Sequence, residues 1–61
     1  MNSTLRFLVD EALENRDTTL QEFVETGRDN GKNLKTITND LAYATGIPVS
    51  WRTIYRWTRI P

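Results

Sequence analysis

The sequence predicts an all-α protein, a compact bundle of four short helices, on three observations. Apolar side chains recur at three- and four-residue spacings in four separate segments. Each segment follows a Ser, Thr or Asn, whose side-chain oxygen can accept a hydrogen bond from the free amides of a helix start. Gly31 and the run Gly46-Ile47-Pro48 stand just behind two of the segments, where helices stop. Nothing between the segments reads as a repeat, a long linker or low complexity, so the 61 residues are expected to make one domain.

The spacing predicts a first helix over about residues 4–15, capped by Asn2 or Ser3. Leu5, Leu8, Val9 and Ala12 fall within about 100° of one another and form its expected core stripe. Phe7 lies off that stripe, either covering the edge of the core or marking a surface for self-association. Arg16-Asp17-Thr18 reads as a short connection. Thr18-x-x-Gln21 and Thr19-x-x-Glu22 both fit a capping box, and Leu20, Phe23, Val24 and Gly27 share a face of the second helix. Asp29-Asn30-Gly31 ends that helix, with Gly31 suited to a left-handed position.

Asn33 is the expected cap of a third helix over about residues 34–45. Leu34, Ile37, Leu41 and Thr45 cluster within about 80° on it. Gly46 stops it, and Pro48 keeps it from running on, because proline lacks an amide hydrogen and restricts the residue before it. Ser50 then caps a fourth helix over about residues 51–60. β-Branched residues make strand the competing assignment for residues 49–55. Strict alternation fails there, because it leaves Ile54 and Trp57 among the arginines, whereas a helix separates the two types.

Composition limits the chemistry. There is no cysteine and no histidine, so no disulfide or ordinary zinc site is available, and no cofactor or metal is expected. Asp10 and Glu14 share a helical face but have no predicted cavity to raise a carboxylate pKa, so the chain does not read as an enzyme. No stretch approaches the roughly 20 apolar residues of a membrane span, and the start of the chain lacks the apolar run of a signal peptide. A cytoplasmic location is the expectation that follows. A chain of this length buries only about 60% of the surface it exposes when unfolded, so its stability is expected to be marginal.

The formal net charge is zero, which by itself argues against a nucleic-acid partner. The distribution argues the other way. Residues 1–27 hold two arginines against six carboxylates, a net −4, and residues 28–61 hold six cations against two aspartates, a net +4. Such asymmetry can steer a polyanion even when the total cancels.

The fourth segment concentrates this signal. On a helical wheel with Trp51 at the origin, Arg59 falls at ~80°, Arg52 at ~100° and Arg56 at ~140°. Trp57 falls at ~240° and Ile54 at ~300°, almost opposite. One face is thus suited to pack on the protein and the other to meet something anionic. A surface helix that is only structural usually sets Glu beside Arg at i, i+4 spacing. Residues 49–61 contain no acidic residue, and Arg52 and Arg56 mildly repel each other. That arrangement makes sense where a polyanion is to sit.

The stretch Leu34-Lys35-Thr36-Ile37-Thr38-Asn39-Asp40-Leu41 resembles the first helix of a helix-turn-helix. The stretch Gly46-Ile47-Pro48-Val49-Ser50-Trp51-Arg52-Thr53-Ile54-Tyr55-Arg56-Trp57 is similar to the turn and recognition helix of resolvase-, transposase- and phage-type helix-turn-helix proteins. The likeness covers about residues 31–60 and looks closest to small actinobacterial and phage proteins. It departs from the short form of the motif in having seven residues between Leu41 and Val49, which lengthens the first helix by about a turn.

The resemblance implies that the last two helices form a helix-turn-helix, at about residues 33–60, that binds double-stranded DNA in a sequence-specific way, as a bacterial or phage transcriptional regulator such as a repressor. It assigns Ser50 to the cap, with nearby amides free to meet a phosphate. It assigns Arg52 and Arg56 to base edges, Arg59 to a phosphate, and Trp51 and Tyr55 to sugar, phosphate or a thymine methyl. Lys32, Asn33 and Lys35, at the start of the third helix, would grip the backbone. A homodimer through the first helix would extend the site. Two rival readings stand beside this one. One is a small adaptor that binds a host or partner protein on the same scaffold. The other is a recombination or excision accessory factor.

Overall fold

The computed structural model describes residues 3–60. They form an all-α bundle of four helices: α1 (Ser3–Glu14), α2 (Leu20–Asp29), α3 (Leu34–Thr45) and α4 (Trp51–Thr58). No helix is long and apolar enough to cross a membrane. The stretch over 51–58 is helical, as the separation of its apolar and basic residues predicts.

Helix starts follow the capping chemistry read in the sequence. The Thr19 side chain accepts from the Glu22 amide (3.2 Å), that of Asn33 from the Thr36 amide (2.8 Å) and that of Ser50 from the Thr53 amide (3.3 Å). The expected cap at Asn2 lies outside the described residues, and Ser3 is already the first residue of α1.

Helices α1 and α2 end in the same kind of turn. After α2, Lys32 N–H donates to the Gly27 carbonyl (3.0 Å) and Gly31 N–H to the Arg28 carbonyl (2.9 Å), with Gly31 at φ 81°. After α1, Thr18 N–H donates to the Leu13 carbonyl (3.1 Å) and Asp17 N–H to the Glu14 carbonyl (3.0 Å), with Asp17 at φ 59°. Both are Schellman turns, and a left-handed residue is what lets the chain reverse. Asp17 serves where glycine is usual because a short polar side chain tolerates that region.

The core is one cluster of Val9, Leu13, Leu20, Val24, Ile37, Leu41 and Ile54. Phe23, Leu34, Ile47, Val49, Trp57 and Ile60 close it from the sides. Helix α3 is central, packing on α1, α2 and α4, and α2 also touches α1 and α4. The expected faces of α2 and α3 stand, with Leu20, Val24, Gly27, Ile37 and Leu41 all buried.

The stripe on α1 is corrected. Leu8, expected inside, is 45% exposed, whereas Leu13 is fully buried beside Val9. The helix is turned about 50° from the expected setting, so that Val9 and Leu13 line the inner face with the half-buried Leu5 one turn before them. This turn also brings Arg6 against α4, where its guanidinium lies 5.3 Å from the centroid of the Trp57 ring. Trp57 is correspondingly half-buried rather than sealed in the core.

Helix α2 leaves room for Ile37 of α3 at Gly27. A Cβ there would lie 2.6 Å from Ile37 Cγ1 and 2.9 Å from Ile37 Cδ1, and Ile37 is itself buried and stiff at its branched carbon. Two effects compete in Gly27→Ala. Helix propensity favours alanine by about 1 kcal/mol, and overpacking costs about 1–3 kcal/mol. We expect overpacking to win and Gly27→Ala to lower the urea midpoint. An unchanged or higher midpoint would mean that α2 and α3 have room to separate.

Candidate nucleic-acid interface

The rotation of α4 is set by its buried side. Ile54 is fully enclosed, and Thr58 is buried with its Oγ1 donating to the Ile54 carbonyl (2.9 Å). Ile47 and Val49, ahead of the helix, pack on the core and anchor its entry. The opposite side carries Trp51, Arg52, Tyr55 and Arg56, all exposed, with Trp51 at 40% and Tyr55 at 43%.

The end of α4 differs from the expected continuation to residue 60. The helix stops at Thr58, and Arg59 turns left-handed at φ 58°, its amide donating to the Tyr55 carbonyl (2.6 Å). The stop has a twin at the end of α3. Gly46 is left-handed at φ 73°, and its amide donates to the Ala42 carbonyl (2.8 Å). In each case the preceding threonine hydroxyl donates four residues back and accepts from the amide two residues on: Thr45 to Leu41 and from Ile47, Thr58 to Ile54 and from Ile60. Thr58-Arg59-Ile60 thus repeats Thr45-Gly46-Ile47, with arginine where the first copy has glycine.

Seven of the nine expected site residues line two hollows. Asn33, Leu34, Lys35, Trp51 and Tyr55 line one open hollow between the first turn of α3 and α4. Trp51, Arg52, Tyr55, Arg56 and Arg59 line a second. Trp51 and Tyr55 belong to both and form a ridge between them. Ser50 begins the helix that carries the ridge, its hydroxyl 3.0 Å from that of Thr53. Lys32 stands apart. It pairs with Asp40 at 2.8 Å and borders a different hollow, with Phe23, Gly27 and Ile37.

The electrostatics follow from who is paired. Among the described residues the ion pairs are Arg6 with Asp10 (3.1 Å) and Lys32 with Asp40. Lys35, Arg52, Arg56 and Arg59 have no carboxylate partner among the described residues. The Arg52 guanidinium instead lies 5.6 Å from the Trp51 ring centroid, close enough for a cation–π contact. The acidic first half of the chain therefore does not neutralise the arginines of α4.

Two features escaped the sequence reading. Leu34, part of the expected core stripe, also forms the apolar wall of the first hollow. The stop at Thr58 had a readable signal, the repeated Thr-x-Ile. Elsewhere, Phe7 is 61% exposed on α1 and Tyr43 is 94% exposed on α3. Comparison with known protein families, with curated proteins and with solved structures gives no match.

Arginine at a left-handed position costs about 1–2 kcal/mol that glycine avoids, part of which glycine returns through its looser unfolded chain. Arg59→Gly is therefore expected to raise thermal stability by about 0.5–1 kcal/mol. A loss of stability would show that the Arg59 side chain itself holds the end of α4.

Proposed function

We propose that the chain binds double-stranded DNA in a sequence-specific way, with α3 and α4 acting as a helix-turn-helix, and that it serves as a transcriptional regulator of bacterial or phage type. One observation carries this reading. The exposed side of an eight-residue helix presents Arg52 and Arg56 without carboxylate partners among the described residues, while Ile54 fastens the other side to the core. The major groove is wide enough for such a helix, and an arginine fork matches the O6 and N7 acceptors of guanine. Lys35 and Asn33, across the first hollow, are suited to the adjoining backbone.

Arg59 adds support of another kind. A residue kept at a conformational cost tends to have a job there. Beside Arg52 and Arg56, a phosphate contact is the job its charge suits. Lys32, paired with Asp40, is a weaker candidate than Lys35. The longest dimension of the molecule, 29 Å, is shorter than one turn of DNA, about 34 Å, so one copy would read one half-site. A second copy joined through Phe7 and Leu8 of α1 would supply the other half.

Those same exposed residues, with Tyr43, favour the competing reading of a protein-binding adaptor. Titration of fluorescent duplexes decides between them. Binding is expected to be micromolar or tighter at low salt and to weaken about ten- to hundredfold between about 50 and about 200 mM salt. Arg52→Ala with Arg56→Ala should flatten discrimination among sequences. Lys35→Ala should weaken all duplexes alike and reduce the salt slope by about 1. Arg59→Gly should behave like Lys35→Ala. A folded double variant that binds every duplex as the parent does would overturn the assignment, and absence of any binding at low salt would favour the adaptor.

A further inference from the structure

The ridge of Trp51 and Tyr55 has two flanks of different chemistry. Arg52, Arg56 and Arg59 stand on one, and Leu34 stands on the other with Asn33 and Lys35 at its rim. Among the described residues no carboxylate lines either hollow, and cations edge both, so the charge suits a polyanion lying across the ridge. Such a ligand meets guanidinium donors on one side and an apolar recess on the other.

Resting on the DNA reading above, we propose that the recess between Leu34, Trp51 and Tyr55 takes the C5 methyl group of thymine, so that the chain prefers duplexes with a thymine close to the guanine its arginines read. Among the base edges displayed in the major groove, that methyl is the apolar group. An amino, carbonyl or ring-nitrogen group set against Leu34 and the ring carbons of Trp51 and Tyr55 would lose water without gaining a partner from them. The two rim residues fit the same strand. Lys35 is free to reach its phosphate. Asn33 spends its side-chain oxygen on the Thr36 amide (2.8 Å), which leaves its amide nitrogen to donate outward. Trp51 is braced as a wall by the Arg52 guanidinium on its ring.

The test removes the methyl and nothing else. A random-sequence duplex pool is enriched on the full chain at low salt. The enriched duplexes are then remade with deoxyuridine in place of one thymine at a time. At one or two positions the loss of the methyl is expected to weaken binding about three- to fivefold. Trp51→Ala and Tyr55→Ala should no longer distinguish the two bases at those positions, whatever their overall affinity. The comparison on the unaltered chain stands even where a variant fails to fold. Equal affinity for thymine and uracil at every position overturns this inference and leaves the DNA reading intact, since a sugar contact is indifferent to the methyl. Failure to retain any duplex overturns both. Tighter binding of the separated strands than of the duplex also overturns it, because the rings would then be stacking on open bases.

Discussion

The burial of Ile54 sets the rotation of α4, and that rotation decides what the protein can touch. Enclosing an isoleucine is worth about 1.5–3 kcal/mol over leaving it in water. Turning the helix over would forfeit that and press Arg52 and Arg56 toward an apolar core, at several kcal/mol for each unpaired charge. The two effects have the same sign, so the orientation is well determined even in a helix of eight residues. Thr58 extends the inner face by one turn. The exposed ridge of Trp51 and Tyr55, and the arginines beside it, are consequences of that anchoring.

A chain of zero net charge can still offer a cationic surface, because the opposite charges occupy different parts of the fold. Arg6 is occupied by Asp10 and Lys32 by Asp40. The cations of α4 and the start of α3 are left without such partners among the described residues. Even the smallest dimension of the molecule, 17 Å, is about twice the screening length of about 8 Å at physiological ionic strength. Exposed carboxylates on the far side are therefore mostly screened from a ligand on α4. Arg6 also links α1 to α4, which have no close backbone approach to each other among the described residues, through its guanidinium on Trp57.

Much of this was legible in the sequence because it is local. The caps Thr19, Asn33 and Ser50 and the left-handed Gly31 and Gly46 are settled within a few residues, and the inner faces of α2, α3 and α4 follow from their own spacing. The rotation of α1 was not local. Leu5 and Val9 fit either setting of the helix, and it is the position of α2 and α3 that chooses Leu13 over Leu8. The early stop of α4 was hidden because Arg59 continues a basic stripe on a helical wheel, although the threonine and isoleucine around it repeat the end of α3. The candidate site was legible as a list of cations and aromatics. Its division into two hollows by a ridge was not, because that depends on where the first turn of α3 lies against α4.

Whether α4 and the start of α3 form the proposed DNA-binding face is best decided by following the backbone amide resonances of the isotope-labelled chain as a duplex long enough for a single half-site is added at low salt. Shifts are expected to concentrate in residues 33–35 and 50–59, with α1 and the α1–α2 turn nearly unmoved. Shifts centred on α1, or a spectrum that the duplex leaves unchanged, would refute that assignment.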